Sequence, residues 1–177
     1  MESLPKISGL LVGDVVVCDS SDVTRELYEK SSFGEPVGKS RFQYALFEAL
    51  YLFEKERMDI HVGKKQLTYD LFLKKALKED PHFVVRYAVY ADLRKRGYIV
   101  KTALKFGADF RVYDRGVKPG DDHSLWVVFA VAESNALTWF EFSAKNRVAH
   151  STRKKLLLGI VDAEGACTYY ETSWIRP

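Results

Sequence analysis

The stretch RVAHSTRKKLLLGIVDAEG, residues 147–165, places a cationic cluster directly before a long apolar run. The cluster consists of Arg147, Arg153, Lys154 and Lys155. The apolar run, residues 156–161, is followed by Asp162, and short apolar runs between charged boundaries are typical of strands buried on both faces. Lysines at the entry to such a strand lie where the sheet meets solvent. We therefore expect this stretch to hold a positive charge beside a site where negative charge develops.

Two polar segments upstream carry the other side chains that acid–base chemistry needs. GADFRVYDRG, residues 107–116, contains Tyr113, and GDDHS, residues 120–124, contains His123. A histidine titrates near neutral pH and can act as a general acid. Taken singly, His123 and Tyr113 are better explained as a surface histidine and a tyrosine at a sheet edge, and Lys154 could simply face solvent. Their joint placement at predicted strand ends, among basic stretches, favours one shared site.

The composition of the chain limits the classes of protein to which it can belong. The chain has 177 residues, of which 47% are apolar, and this is ordinary for a globular protein of one or two domains. No apolar run approaches the roughly 20 residues of a membrane span, and the start MESLPKIS lacks the features of a signal peptide. Cys18 and Cys167 lie far apart and fit neither a metal knuckle nor a disulfide framework. We expect reduced thiols in a cytoplasmic protein.

Charge is distributed unevenly, although the net charge is only +3. Residues 94–105 and 145–155 each contain five cations and no acid, whereas acids concentrate in residues 19–35 and 54–59. Two basic stretches on one chain suit a polyanionic partner. For either stretch alone, solvated helix ends and loops remain the alternative.

The first half of the chain predicts a small α/β domain, residues 1–80. Residues 7–18 indicate a hairpin that turns at residues 13–14. The polar, glycine-containing residues 19–39 indicate a loop with one short strand.

A helix is predicted next, because Ser40 and Gln43 form a capping-box pattern. Its apolar face would contain Phe42, Ala45, Leu46, Ala49, Leu50 and Phe53. A polar turn at residues 62–65 follows, and a second helix is expected from Thr68 to about Lys78.

The second half predicts a separate domain, residues 81–177. Asp80 and Pro81 suit the start of a helix that continues to Arg96 and ends at Gly97.

Beyond that helix, strands are expected at residues 98–104, 109–113, 125–132, 155–162 and 168–176. A capping box formed by Thr138 and Glu141 predicts a helix over residues 138–146. The fold class is therefore α/β (α+β), with a mixed sheet flanked by helices in the second domain.

Metal chemistry finds little support in the pattern. Asp109, Asp114, Asp121 and Asp122, taken with Lys154, could suggest a metal-dependent nuclease. Such a site needs an acid followed closely by an acid and a lysine on the adjacent strand, and the strand after Lys155 is wholly apolar. His61, His82 and His150 lack ligand spacing with one another. We predict no metal and no cofactor.

The segments DLRKRGYIVKTALKFGADFRVYDRG (92–116), DDHS (121–124) and RVAHSTRKKLLLGIVDAEG (147–165) together resemble the archaeal tRNA-splicing endonucleases. The likeness extends from about Ile7 to the C-terminal SWIRP, so it covers nearly the whole chain. It implies a small N-terminal α/β domain followed by a nuclease domain related to restriction endonucleases.

The resemblance also implies a reaction. Members of this family cut precursor tRNA at the two splice sites of a bulge-helix-bulge element, without metal, in a lyase-type transesterification. The products carry a 2′,3′-cyclic phosphate and a 5′-hydroxyl. The family's tyrosine, histidine and lysine match Tyr113, His123 and Lys154, as base, acid and electrostatic stabiliser respectively. A phenol has an ordinary pKa of about 10 and is a weak base at pH 7, so nearby cations should help.

RNA contacts are implied for the basic stretch and the C-terminus. The family clamps an extruded bulge base between two planar side chains, and Arg147 matches the first of them. Trp174 is our candidate for the second, since either side-chain type can stack on a base. Arg153 and Lys155 complete the predicted RNA-binding residues.

Family members assemble from four units, which are identical or divided between catalytic and structural subunits. In the identical type an acidic loop docks into a neighbour, and the matching residues 132–137 keep only Glu133. The long basic insertion of mixed-subunit members is not evident, so a homotetramer is expected and a heterotetramer is the alternative. Two other functions remain open: a non-catalytic RNA-binding subunit and a metal-dependent DNA nuclease of related fold.

Overall fold

A computed structural model of the chain describes residues 5–175. It divides into two compact units, one up to Phe83 and the other from Val84 onward. Within the described residues, no helix combines the length and the apolar character needed to cross a membrane.

The first unit contains a six-stranded sheet and three helices. Its elements are β1 (Ile7–Val12), β2 (Val15–Asp19), α1 (Asp22–Ser31), β3 (Glu35–Val37), β4 (Arg41–Ala45), α2 (Leu46–Glu54), β5 (Met58–Val62), β6 (Lys65–Gln66) and α3 (Tyr69–Glu79). The strand order is β3-β4-β2-β1-β5-β6. Only the β1–β5 pair is parallel among these neighbours. The predicted hairpin at residues 13–14 and the helix starting at Thr68 are both confirmed.

The prediction of a loop over residues 19–39 is wrong, apart from its short strand β3. Residues Asp22–Ser31 form α1, which begins with a capping box between Ser21 and Thr24. The Ser21 hydroxyl accepts a hydrogen bond from the Thr24 N–H at 3.2 Å, and the Thr24 hydroxyl accepts one from the Ser21 N–H at 2.8 Å. Threonine occupies the position that glutamate or glutamine holds in the usual capping box. The sequence pattern therefore did not predict this helix.

The capping box predicted at Ser40 and Gln43 is also wrong. Residues Arg41–Ala45 form β4, in which the alternate residues Phe42 and Tyr44 are buried against β2. The helix begins only at Leu46, where Glu48 Oε2 accepts the Ala45 N–H at 3.1 Å. Cross-strand burial of two aromatic rings therefore outweighs the local capping signal.

The second unit contains a five-stranded sheet with helices on both faces. Its elements are α4 (Phe83–Lys95, with its first residue in the first unit), β7 (Ile99–Thr102), β8 (Phe110–Tyr113), β9 (Trp126–Ala132), α5 (Trp139–Ser151), β10 (Lys155–Val161) and β11 (Cys167–Thr172). The strand order is β11-β10-β9-β8-β7, with β9 and β10 parallel and the other neighbours antiparallel. The predicted mixed sheet flanked by helices is confirmed.

The strand β10 is buried on both faces, as its apolar run predicts. Leu156 and Leu158 point into a core that includes Phe129 of β9 and Ala149 of α5. On the opposite face Gly159 lies against Val89 of α4, so closely that a methyl group on the glycine would stand 2.8 Å from a Val89 methyl carbon. The buried strand thus fixes the position of Lys154, the residue that directly precedes it.

Several boundaries differ from the predictions for this unit. The strand expected over 98–104 ends at Thr102, and a short 3-10 helix, Leu104–Phe106, follows. The helix α5 begins at the predicted Thr138 capping box but continues to Ser151 instead of ending near residue 146. The closing strand ends at Thr172, and the last residue predicted for it, Arg176, lies outside the described residues.

Candidate active site

Three strand ends of the second unit meet at one edge of its sheet. In the parallel pair β9–β10, Trp126 lies opposite Lys155, so the residues that enter these two strands are neighbours. The strand β8 runs antiparallel to β9, with Val112 opposite Trp126, and therefore ends with Tyr113 at the same edge. Backbone hydrogen bonds tie the three strands through Leu125, whose N–H donates to Val112 O at 2.8 Å and whose carbonyl accepts the Lys155 N–H at 3.1 Å.

A cleft of about 410 Å³ opens at this edge. Tyr113, His123 and Lys154, the three catalytic residues predicted from the sequence, all line it, together with Phe106, Arg111 and Asp121. The strand ends therefore bring together side chains that are separated by up to 41 positions in the chain.

A second cleft of about 520 Å³ shares part of this wall. His123 and Lys154 line both clefts, while His150, Arg153 and Lys155 line only the second. The second cleft is therefore the more basic of the two, and it extends the site along the end of α5.

Tyr113 is only 4% exposed, although its side chain forms part of the first cleft. The guanidinium carbon of Arg111 lies 5.9 Å from the centre of the Tyr113 ring. Arg111 is a cleft residue that the sequence prediction missed. The signal was present, because residues two apart on a strand face the same side of the sheet.

His123 is exposed and is held through its backbone. Its N–H donates a hydrogen bond of 2.6 Å to Oδ1 of Asp122, the preceding residue. A single bridge between Pro119 and Asp122 steadies the same loop. The loop thus fixes the main chain at His123 while the imidazole stays open to the cleft.

Lys154 is held by the end of α5. The Lys154 N–H donates to Ala149 O at 2.9 Å, and the Arg153 N–H donates to His150 O at 3.0 Å. This pair of bonds defines a Schellman motif, in which the left-handed position is occupied by Arg153 with φ of 56°. Glycine usually fills that position. Because an arginine is there instead, the sequence did not mark where the helix ends, and the prediction placed that end too early.

Lys155, predicted to bind RNA, is engaged with its own sheet. Its Nζ lies 2.9 Å from Oε1 of Glu171, whose Oε2 accepts the indole N–H of Trp126 at 2.8 Å. Hydrogen bonds from Lys155 and then Trp126 lower the pKa of the Glu171 carboxyl. Lys154, by contrast, precedes the strand and lines both clefts.

Trp174 contacts the helix that carries Arg147. Arg147 is exposed on α5, one turn before His150 on the same helix. The His150 and Trp174 rings meet edge to face, with centroids 4.6 Å apart. Further along, the Thr172 hydroxyl donates to Asn146 Oδ1 at 3.1 Å. The segment after β11 therefore runs beside the α5 face that carries Arg147.

Asp109 and Asp114, two of the aspartates considered for a metal, accept hydrogen bonds from backbone N–H groups. Asp109 Oδ1 lies 2.8 Å from Arg86 Nε, and its Oδ2 accepts the Ala130 N–H at 2.8 Å. Asp114 accepts the Arg115 N–H at 2.7 Å. Over residues 5–175, no three His, Cys, Asp or Glu side chains form a group that could hold a metal ion.

The family models agree with the division into two units. Residues 83–169 match the model of the tRNA intron endonuclease catalytic C-terminal domain, and residues 7–73 match that of the tRNA intron endonuclease N-terminal domain. The chain belongs to the tRNA intron endonuclease family and contains its catalytic domain. The resemblance inferred from the sequence is thereby confirmed.

Curated relatives match over nearly their whole length. A tRNA-splicing endonuclease from Nanoarchaeum equitans is 46% identical over 151 residues, which cover 82% of this chain and 97% of the relative. The one from Thermococcus gammatolerans is 40% identical and covers 94% of this chain and 96% of its own. The tRNA-splicing endonuclease from Methanothermobacter thermautotrophicus is 38% identical, and the match covers 97% of this chain and 99% of the relative.

Proposed function

We propose that this chain is a tRNA-splicing endonuclease that cuts precursor tRNA at the intron–exon junctions of a bulge-helix-bulge element. The observation that carries the proposal is the cleft shared by Tyr113, His123 and Lys154 in a chain of this family. These three side chains supply a base, an acid and a fixed cation, which are what cleavage by the RNA's own 2′-hydroxyl requires.

In the proposed reaction the 2′-oxygen attacks the adjacent phosphorus and its proton passes to the phenolate oxygen of Tyr113. The bond from phosphorus to the 5′-oxygen then breaks, and the leaving oxygen takes a proton from the imidazolium of His123. Lys154 faces the negative charge that builds on the non-bridging oxygens. The products are a 2′,3′-cyclic phosphate and a 5′-hydroxyl, and no step uses a metal ion.

RNA is held, in this proposal, by the basic end of α5. Arg153 and Lys155 line the second cleft, beside the first, where cations can neutralise backbone phosphates. Arg147 and Trp174 clamp an extruded bulge base between two planes. The exposure of both side chains supports this role, Trp174 being 56% exposed.

We also propose that four identical chains form the working enzyme. Glu133, the one acid in residues 132–137, accepts the Ala163 N–H at 3.0 Å within its own chain, so any contact with a neighbour must use its remaining acceptor capacity. Light scattering on the pure chain should give four times the monomer mass, with cleavage activity in that fraction. A chain that gains activity only when a second, different subunit is added would indicate the mixed assembly.

The decisive test is incubation of the pure protein with a bulge-helix-bulge RNA in excess chelator, followed by analysis of the product ends. Cleavage at both junctions, with cyclic phosphate and 5′-hydroxyl ends, is expected. Binding without cleavage would indicate a non-catalytic RNA-binding subunit. Cleavage that the chelator abolishes would indicate a metal-dependent nuclease.

A further inference from the structure

Arg111 shares the face of β8 that carries Tyr113. Side chains two positions apart on a strand point to the same side, while the alternate residues Phe110 and Val112 are fully buried. Arg111 lines the same cleft as the three proposed catalytic residues. The guanidinium therefore stands beside the place where the RNA would react.

The Nε–H of Arg111 is a buried donor without an acceptor. Among the described residues it is a buried side-chain polar atom that forms no hydrogen bond. Buried donors are almost always paired in native structures, so an orphaned one needs an explanation. One explanation is that a bound ligand supplies the missing acceptor.

The chemistry of the cleft identifies the acceptor as an anionic oxygen. A guanidinium presents its donors in a planar fork that fits phosphate, and it stays charged at every accessible pH. Asp121 and Asp122 line the same cleft, yet no carboxylate of the described residues forms an ion pair with Arg111. Its charge is thus available to an incoming anion.

We propose that Arg111 is a fourth catalytic residue, which binds a non-bridging oxygen of the scissile phosphate through Nε and a terminal nitrogen. This rests on the proposed function. Lys154 and Arg111 then hold the reacting phosphate between them, with Arg111 on the side of Tyr113, where the 2′-oxygen attacks. The charge that develops on phosphorus meets two cations instead of one.

The first arm of the test measures single-turnover cleavage at saturating enzyme. Arg111→Met should be slower by about 10²-fold, as for loss of one transition-state donor, and Arg111→Lys should recover part of the loss. Affinity for an uncleavable RNA with a 2′-deoxy group at the junction should change by no more than about threefold, because the contact strengthens only during reaction. Replacing one non-bridging oxygen by sulfur should slow the wild type more than Arg111→Met.

A matched control is available two residues beyond Tyr113. Arg115 also lies over a tyrosine ring, with its guanidinium carbon 5.0 Å from the centre of Tyr98, but it lines neither cleft. Arg115→Met should cleave at the wild-type rate. Wild-type cleavage by Arg111→Met, or an equal sulfur effect in wild type and Arg111→Met, would overturn the proposal.

The second arm does not depend on RNA cleavage. In protein labelled with 15N-arginine, the Nε–H signal missing from Arg111→Lys identifies Arg111. Titration with inorganic phosphate should shift that signal and leave the Arg115 signal in place. A shift without any RNA cleavage by the wild type would retain the anion site and reject the splicing function, whereas no shift would reject the anion site itself.

Discussion

His150 and Trp174 meet edge to face at 4.6 Å between ring centroids, and this contact holds the chain after β11 against the last turns of α5. Trp174 keeps 56% of its surface exposed. One ring therefore anchors the other while leaving it accessible to a base.

The base clamp can be tested by coupling. Loss of a stacking residue costs about 1–3 kcal/mol per base in RNA affinity, so Arg147→Ala and Trp174→Ala should each weaken binding of bulge-helix-bulge RNA. The double variant should cost less than the sum of the two singles, because both changes remove contacts to one base. Chemical probing of the complexes should show the same bulge nucleotide more exposed in each variant.

An ordinary phosphate contact at Arg147 predicts a different pattern. Arg147→Ala would then lower the salt dependence of binding and would not couple to Trp174. Strict additivity, with no change in the exposure of a bulge base, would reject the clamp.

His123→Ala should lower the single-turnover cleavage rate by about 10²-fold or more and leave RNA affinity near that of the wild type. Loss of a general acid has this effect. The matched control is His82→Ala, since His82 is exposed in a turn, where its backbone N–H donates to Asp80 Oδ1 at 2.9 Å, and it lines neither cleft. If His123→Ala cleaves normally at saturating enzyme, the assignment of the acid is wrong.

Lys154→Ala and Lys155→Ala should behave differently, although the two residues are neighbours of like charge. Only Lys154 lines the cleft with Tyr113, whereas the Lys155 ammonium is paired with Glu171. Lys154→Ala should slow the chemical step by about 10²-fold, and Lys155→Ala should affect mainly RNA affinity. The reverse outcome in single-turnover assays would show that Lys155 is the residue at the phosphate.

The two thiols should differ in reactivity. Burial, and then the nearby Asp19 charge, raise the pKa of Cys18 to about 12, so at pH 8 only about one molecule in 10⁴ carries the reactive thiolate. Burial also raises the pKa of Cys167, which is less buried than Cys18. With iodoacetamide, mass spectrometry of peptides should show Cys167 labelled first and Cys18 labelled only as the protein unfolds. Labelling of Cys18 at the rate of a free cysteine peptide would contradict this.

Gly159→Ala should destabilise the second unit by about 1–3 kcal/mol, as expected for overpacking. The added methyl would stand 2.8 Å from Cγ2 and 3.0 Å from Cγ1 of Val89. The double variant Gly159→Ala/Val89→Ala should cost less than the two singles together, because the second change makes room for the first. Urea unfolding measures all three, and additive costs would show that the glycine matters for another reason.

Sequence patterns could predict much of the second unit, because its signals are local and agree with its packing. The apolar run after Lys155 indicates a doubly buried strand, and the Thr138 capping box marks where α5 begins. The end of α5 could not be read, since its left-handed cap residue is Arg153 and carries none of the usual signal. In the first unit, the capping pattern at Ser40 competes with β4, a strand whose pairing with β2 and β3 is not visible in its local sequence.

The candidate site, too, could be predicted from the sequence only in part. Residue types and family spacing predict Tyr113, His123 and Lys154 as a catalytic set, but neither can show that the Nε–H of Arg111 is buried without a hydrogen bond. That property depends on how the neighbouring strands and loops enclose one nitrogen atom.

The parallel pairing of β9 with β10 affects when the sheet can be completed during synthesis of the chain. A parallel pair needs a crossover, here through α5, so β10 can join the sheet only after that helix has been synthesised. Domains fold as units while the chain leaves the ribosome, N-terminal part first. A nascent chain that has released Tyr113 and His123 therefore still lacks a complete cleft. Under the proposed function, the nascent chain can cleave RNA only once Lys154 has emerged.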